Sequence, residues 1–91
     1  MIIKDLLFEM TCSACPEQYE VYLNDRQVGY VRLRYGVLRV DYPECLDETI
    51  YSEKIGGEYT GQFESDGQKD YYLNLIADLL WEKIRHAGTY E

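Results

Sequence analysis

The sequence has few of the residues on which several large classes of protein depend. Its 91 residues include three cysteines, two prolines and one histidine, and 9 Lys and Arg stand against 17 Asp and Glu. The formal charge of −8 argues against general nucleic-acid binding, which needs a positive surface. The longest apolar runs are far shorter than the roughly 20 residues of a membrane span, and Met1–Asp5 lacks the pattern of a secretion signal. We therefore expect a soluble cytoplasmic domain with no direct nucleic-acid or membrane partner.

The cysteines do not form the pattern of a disulfide framework, because their number is odd and no secretory signal accompanies them. Cys12 and Cys15 have the C-x-x-C spacing that can bind zinc or form a redox pair. Zinc needs two further ligands, and only Cys45 and His86 are available, without the usual spacing. A redox pair usually begins a helix, whereas residues 18–23 resemble a strand. The sequence favours free thiols in a turn, with zinc or redox chemistry as alternatives, and predicts no metal and no cofactor.

Hydrophobic residues make up 46% of the chain, which is enough for one folded core. Alternation of apolar and polar residues predicts four or five strands: Ile2–Met10, Tyr19–Leu23, Val28–Arg34, Val37–Tyr42 and, as the fifth, Ile50–Ile55. Thr11–Glu17 is predicted to be a loop. Apolar residues at helical spacing near the C-terminus predict an amphipathic helix, capped at Ser65 or Asp66 and ended by Gly88. We predict one α+β domain over residues 1–91, an antiparallel meander of four or five strands with the C-terminal helix packed on one face.

The hairpin closed by Tyr35 and Gly36 determines which strand residues face each other. A two-residue turn places Arg32 opposite Arg39, and one face of the sheet then carries only apolar residues. The opposite face, which we call the arginine face, carries Tyr30, Arg32, Arg34, Arg39 and Asp41. Arginines directly opposite each other repel by a few tenths to about 1 kcal/mol, so a compensating residue is expected.

Glu20 of the preceding strand is the expected compensation. A three-residue connection with a bulge pairs Glu20 with Arg32 and Val21 with Val31, which keeps every apolar residue on the helix side. The resulting face is interpreted in two ways. It is a site where Arg32, Arg34 and Arg39 bind a phosphate or carboxylate beside Tyr30, or it is a solvated face whose charges pair internally.

Negative charge is concentrated between Asp41 and Asp66, where eight acids accompany a single base, Lys54. We call this stretch the acidic segment. Its field favours association with a basic protein surface, such as one that normally holds nucleic acid, and the alternative is a merely solubilising face. The candidate contact residues are Asp47, Glu48, Glu53, Glu58 and Glu64.

Ten tyrosines in 91 residues are a second indication of an interaction surface, because tyrosine offers a large contact area at low entropic cost. We select Tyr59, Tyr71 and Trp81 as candidate anchors, although Trp81 is equally a flank of the core. Arg85, four residues further along, can stack on its indole. No nucleophile motif or phosphate-binding loop is present, so we do not expect an enzyme.

Three phrases of the first half, CPEQYEVY from Cys15, VGYVRLRYG from Val28 and DYP from Asp41, resemble small uncharacterised proteins encoded by phages and prophages. The resemblance implies a mobile-element origin and carries no catalytic residue. It leads to the hypothesis of an acidic inhibitor in the host cytoplasm that occludes a basic surface of a host defence or nucleic-acid-processing protein, as an anti-CRISPR protein does. The alternatives are a protein that binds a nucleotide or another anion on the arginine face, and a virion or assembly accessory protein.

Overall fold

Six antiparallel strands and one helix form the protein. The computed structural model describes residues 1–14 and 16–87. The strands lie in chain order across one sheet, as β1 (Ile2–Ile3), β2 (Leu6–Ser13), β3 (Glu17–Leu23), β4 (Arg26–Arg34), β5 (Val37–Tyr42) and β6 (Glu48–Lys54). The helix α1 (Asp66–Ala87) packs on one face. The α+β meander with a C-terminal helix is confirmed, and the sheet has six strands rather than four or five.

The additional strand arises because the predicted strand Ile2–Met10 is interrupted. Lys4 and Asp5 have φ values of 52° and 70°, so they form a tight turn that folds β1 back onto β2. Such positive values suit polar turn residues and break an extended strand. β2 in turn continues to Ser13, through the first part of the predicted loop. Met10, the last residue of the predicted first strand, is 44% exposed.

The β3–β4 connection differs from the predicted three-residue link. Leu23 pairs with Arg26 across a two-residue turn, in which Asn24 has a φ of 58°. A bulge follows within β4, where Val28 is an extra residue. The bulge shifts the pairing by one residue, and a one-residue shift exchanges the two faces of a strand. Val21 is therefore buried on the helix side, as the sequence requires.

The predicted register of β3 against β4 is nevertheless wrong by two residues. Arg32 pairs with Gln18, not with Glu20, and Val31 pairs with Tyr19. The predicted Glu20–Arg32 ladder therefore does not form, because the bulge lies in the strand and the turn keeps only two residues. The β4–β5 hairpin has the predicted register, with Arg32 opposite Arg39.

The core lies between the sheet and α1. Gly29 allows the closest approach of the helix, since a Cβ built there would lie 2.7 Å from Leu80 Cδ1. Ser65 caps the helix, as predicted, by accepting a hydrogen bond from Gln68 N at 3.1 Å, while Gly88 lies outside the described residues. The buried helix residues are Leu73, Ile76, Ala77, Leu80 and Ile84. Within residues 1–14 and 16–87, no helix has the length and apolar content that crossing a bilayer requires.

Candidate functional site

A cleft at the tip of the β4–β5 hairpin brings together residues that the sequence assigned to separate groups. The cleft encloses about 210 Å³, and Tyr59 and Tyr35 are 91% and 63% exposed beside it. The guanidinium carbon of Arg34 lies 4.9 Å from the centre of the Tyr35 ring. We call this cavity the hairpin-tip cleft. Its lining residues are Arg34, Tyr35, Glu58, Tyr59, Thr60 and Gly61. Arg34 thus belongs to this cleft together with two of the predicted contact residues, Glu58 and Tyr59.

Tyr35 is a functional candidate that the sequence analysis treated only as a turn residue. Its φ of 55° lies in the left-handed region, where two-residue hairpin turns normally place Asn, Asp or Gly. A tyrosine gains nothing conformationally from that position. The unusual residue type at the turn was the signal that could have identified Tyr35 as a surface residue.

Backbone hydrogen bonds attach the glycine-rich loop between β6 and α1 to the β4–β5 hairpin. Gly36 N donates to Thr60 O at 2.8 Å, and Gly36 O accepts from Ile55 N at 2.8 Å and from Gly56 N at 3.2 Å. Gly36 is required here, because its φ is +77° and a Cβ would lie 2.3 Å from Gly56 O. The segment that carries Glu58 and Tyr59 is therefore anchored on the tip of the hairpin.

A second anchor fixes the far end of the same loop. Glu17 N donates to Gly61 O at 2.7 Å, and Glu17 Oε1 accepts from Phe63 N at 2.9 Å. The Tyr19 hydroxyl donates to Glu17 Oε2, and Lys69 Nζ lies 3.4 Å from that oxygen. Glu17 is only 5% exposed, so its carboxylate depends on these partners. Burial, followed by the bond to Glu17, raises the pKa of Tyr19 far above its ordinary value.

The importance of Glu17 was also missed, since the sequence analysis placed it in a loop. Glu17 alternates in phase with Tyr19 and Val21, both fully buried. Extending the strand by two residues would have directed the carboxylate towards the core. As a consequence, Glu17 is a buried acid that links β3, the loop between β6 and α1, and the helix.

Two of the predicted acidic contact residues lie on β6, at the edge of the sheet. Glu48 forms an ion pair with Lys83 at 2.8 Å. Glu53 accepts hydrogen bonds from the hydroxyls of Tyr51 and, at 3.5 Å, Tyr72. Burial, then the bond to Glu53, raises the pKa of Tyr51 to about 12. Both carboxylates therefore have partners within the protein.

The other three predicted acids lie in loops. Asp47 Oδ2 accepts a hydrogen bond from Glu44 N at 3.1 Å and stabilises the β5–β6 turn. Glu58 and Glu64 are exposed, and neither side chain has an ion-pair or hydrogen-bond partner in the part of the chain that the structure describes. Glu58 is thus the acid that combines a free carboxylate with a position in the hairpin-tip cleft.

The two remaining aromatic candidates lie on α1. Trp81 is half-buried and donates from Nε1 to Lys4 O at 2.7 Å, which attaches the β1–β2 turn to the helix. The guanidinium carbon of Arg85 lies 5.7 Å from the indole, as its spacing predicts. Tyr71 is exposed, and its ring packs edge-on against Tyr72 at 5.0 Å. Neither Trp81 nor Tyr71 lines the hairpin-tip cleft.

The arginine face contains charges of both signs. Arg39 Nη2 lies 3.1 Å from Asp41 Oδ2, and Asp41 is fully buried. Arg32 has no hydrogen bond or ion pair to another described residue. The Tyr30 hydroxyl donates to Gln18 Oε1 at 2.7 Å. Arg32 and Arg39 are thus brought together on this face beside Tyr30, whereas Arg34 lies at the hairpin tip.

The described cysteines do not form a site together. Cys12 Sγ lies 3.4 Å from Ala14 O, and Cys45 is exposed. Burial, followed by the neighbouring Cys45, raises the pKa of Tyr30. Cys15, and with it the predicted C-x-x-C pair, lies outside the described residues. Across residues 1–14 and 16–87, no group of three or more Cys, His, Asp or Glu side chains is arranged to hold a metal ion.

No relative of this chain was found among known proteins. No protein-family model matches the chain, and no curated protein or solved structure is similar to it.

Proposed function

We propose that the protein is an interaction module that binds a basic protein surface through the hairpin-tip cleft. The observation that carries the proposal is the pair of exposed tyrosines, Tyr35 and Tyr59, beside a cleft whose backbone is held by hydrogen bonds at Gly36 and Glu17. Aromatic side chains on a fixed backbone lose little freedom on binding, and tyrosine is enriched among the residues that dominate interface energies.

The charge of the surroundings supports a basic partner. Glu58 has no ion-pair partner among the described residues, and the acidic segment contains eight acids against Lys54, although Asp41 is paired with Arg39 and Glu48 with Lys83. Such a field accelerates association with a positive surface. A lysine or arginine of the partner can contact the Tyr59 ring while it pairs with the Glu58 carboxylate, whereas the Tyr35 ring already has Arg34 of this chain beside it.

The proposed target is a host protein that handles nucleic acid. Carboxylates of the acidic segment substitute for phosphates on a basic groove, and the resemblance to phage-encoded proteins favours a defence or nucleic-acid-processing protein in the host cytoplasm. The mechanism is occlusion of the groove, with no catalytic step by this chain.

Affinity capture from bacterial lysate with matched variants tests the proposal. We expect Tyr59→Ala and Glu58→Lys each to lose the proteins that the wild-type chain retains, and we expect high salt to release them. The controls change exposed residues outside the cleft and the acidic segment: Ile2→Ala on β1, at the other edge of the sheet, and Asp25→Lys at the opposite end of β4. Capture that is unchanged in the two cleft variants would refute the proposed site.

A second measurement tests occlusion. A retained protein is purified, and its binding to nucleic acid is measured with increasing amounts of this chain. We expect competitive displacement by the wild type and not by Glu58→Lys. Simultaneous binding of nucleic acid and this chain would exclude the occlusion mechanism.

A further inference from the structure

We propose that the arginine face holds a second site, which binds a phosphate-class oxyanion between Arg32 and Arg39. The site lies on the face of the sheet opposite the helix and does not depend on the interaction proposed above. Its first basis is a row of donor side chains across four strands. Direct pairing aligns Gln18 of β3, Arg32 of β4, Arg39 of β5 and Ser52 of β6.

The row contains donors and no acid. Gln18 Oε1 already accepts from the Tyr30 hydroxyl, so its amide NH₂ remains as a donor. Ser52 adds a hydroxyl on the exposed edge strand. Cross-strand like charges are unfavourable, and the predicted compensation by Glu20 is absent because Gln18 occupies that position. An anion between the two arginines would supply the missing negative charge.

The second basis is the incomplete hydrogen bonding of Arg39. Its Nε and Nη2 atoms are buried and donate no hydrogen bond within the described part of the chain. Asp41 Oδ2 balances the charge at 3.1 Å from Nη2, while Nε has no acceptor among the described residues. Buried donors without an acceptor are rare in folded proteins. The Arg39 side chain as a whole is 19% exposed, so an anion beside Arg32 approaches the guanidinium from the solvent side.

The ligand class follows from the number and shape of the donors. Arg32 and Arg39 each present a planar fork that suits an oxyanion, and Gln18 and Ser52 add single donors on either side. A tetrahedral phosphate can accept from both arginine forks at once through oxygens that point in different directions, whereas the two oxygens of a carboxylate match a single fork. Tyr30 lies in the neighbouring row and is only 8% exposed, so its signal reports on a base beside the phosphate, although the ring is not open for stacking.

Titration with inorganic phosphate, followed by ¹⁵N NMR at constant ionic strength, tests this site. We expect saturable shifts at Gln18, Arg32, Arg39 and Ser52, and affinity weaker by about tenfold or more in Arg32→Gln and in Arg39→Gln. Arg32→Gln is the decisive variant, since Arg32 has no hydrogen bond or ion pair to lose within residues 1–14 and 16–87. Arg26→Gln, at the start of the same strand, removes an equal charge and should leave phosphate affinity unchanged.

Titrations with adenosine monophosphate and with acetate identify the chemical class of the ligand. Adenosine monophosphate that binds more tightly than phosphate and shifts Tyr30 assigns a nucleotide, whereas equal affinity assigns a free phosphate group. Non-saturating shifts, an unchanged response in Arg32→Gln, or acetate that binds as tightly as phosphate would overturn the proposal. Phosphate binding that persists in Glu58→Lys would separate this site from the hairpin-tip cleft.

Discussion

The buried carboxylate of Glu17 accepts a hydrogen bond from the hydroxyl of Tyr19, two residues further along the same strand. The same carboxylate accepts from Phe63 N and lies near Lys69 of the helix. One side chain thereby joins β3, the loop that follows β6 and the first turns of α1. The position of the hairpin-tip cleft depends on this junction, because Gly61 at its lining is bonded to Glu17 N.

Replacement of Glu17 by alanine is expected to lower the free energy of unfolding by about 2–3 kcal/mol, because it leaves the Tyr19 hydroxyl and Phe63 N buried without an acceptor. Urea denaturation measures the change. Glu20→Ala is the matched control, since Glu20 accepts from Tyr22 at the same spacing on the same strand but is only partly buried, and its loss should stay below about 1 kcal/mol. Equal losses in the two variants would show that burial of Glu17 has no special effect.

The two glycines Gly36 and Gly57 should respond differently to the same substitution. Gly36→Ala forces a side chain into the left-handed region and against Gly56 O, so we expect a loss of about 2 kcal/mol or more. Gly57→Ala meets no atom within 4 Å and should change stability little. Hydrogen exchange at Ile55 N and Gly56 N, which both donate to Gly36 O, should accelerate only in Gly36→Ala. Equal exchange rates in both variants would contradict an anchored loop.

The parts of the fold that were predictable are those in which pattern and turn chemistry agree. The β4–β5 hairpin followed from a Tyr35–Gly36 turn flanked by alternating residues, and the helix followed from its stripe and the cap at Ser65. In both segments the local sequence determines the structure. The backbone hydrogen bonds and the spacing of the apolar side chains there involve residues that are close together in the sequence.

The remaining features depend on contacts that are distant in sequence. The Lys4–Asp5 turn interrupts a regular apolar alternation, and its stabilisation includes Trp81, which bonds to Lys4 O from the helix. The bulge at Val28 keeps Val21 against the helix. The alternation of apolar and polar residues did not predict the position of that bulge. Of the candidate site, Arg34, Glu58 and Tyr59 were predicted as site residues, whereas Tyr35 and Glu17 acquire their roles from the loop between β6 and α1, which bonds to Gly36 and Glu17.

Trp81 provides a test that separates stability from binding. Trp81→Phe removes the hydrogen bond to Lys4 O, and we expect a loss of about 1 kcal/mol in the free energy of unfolding. Capture of partner proteins should be unchanged, because Trp81 is outside the hairpin-tip cleft. Tyr71→Phe, which removes an exposed hydroxyl from the same helix, is the control for stability and should have almost no effect. Loss of capture in Trp81→Phe, with the fold retained, would move the interaction surface to the helix.

Alkaline pH should destabilise the protein through Tyr51. Burial, then the hydrogen bond to Glu53, raises the pKa of Tyr51 in the folded chain to about 12, against 10.0 ordinarily. The folded state therefore retains a proton that the unfolded chain releases. This contribution to stability is fully present below about pH 10 and is lost as the pH rises to about 12.

Urea denaturation across this range should show a steeper loss of stability for the wild type than for Tyr51→Phe, and tyrosinate absorbance should show one fewer late-titrating group in the variant. Glu53→Gln, which keeps the ring buried but removes the carboxylate, should lower the pKa of Tyr51 only in part, since burial is the larger cause. Identical pH dependence in wild type and Tyr51→Phe would show that neither burial nor the bond to Glu53 raises the pKa of Tyr51 in solution.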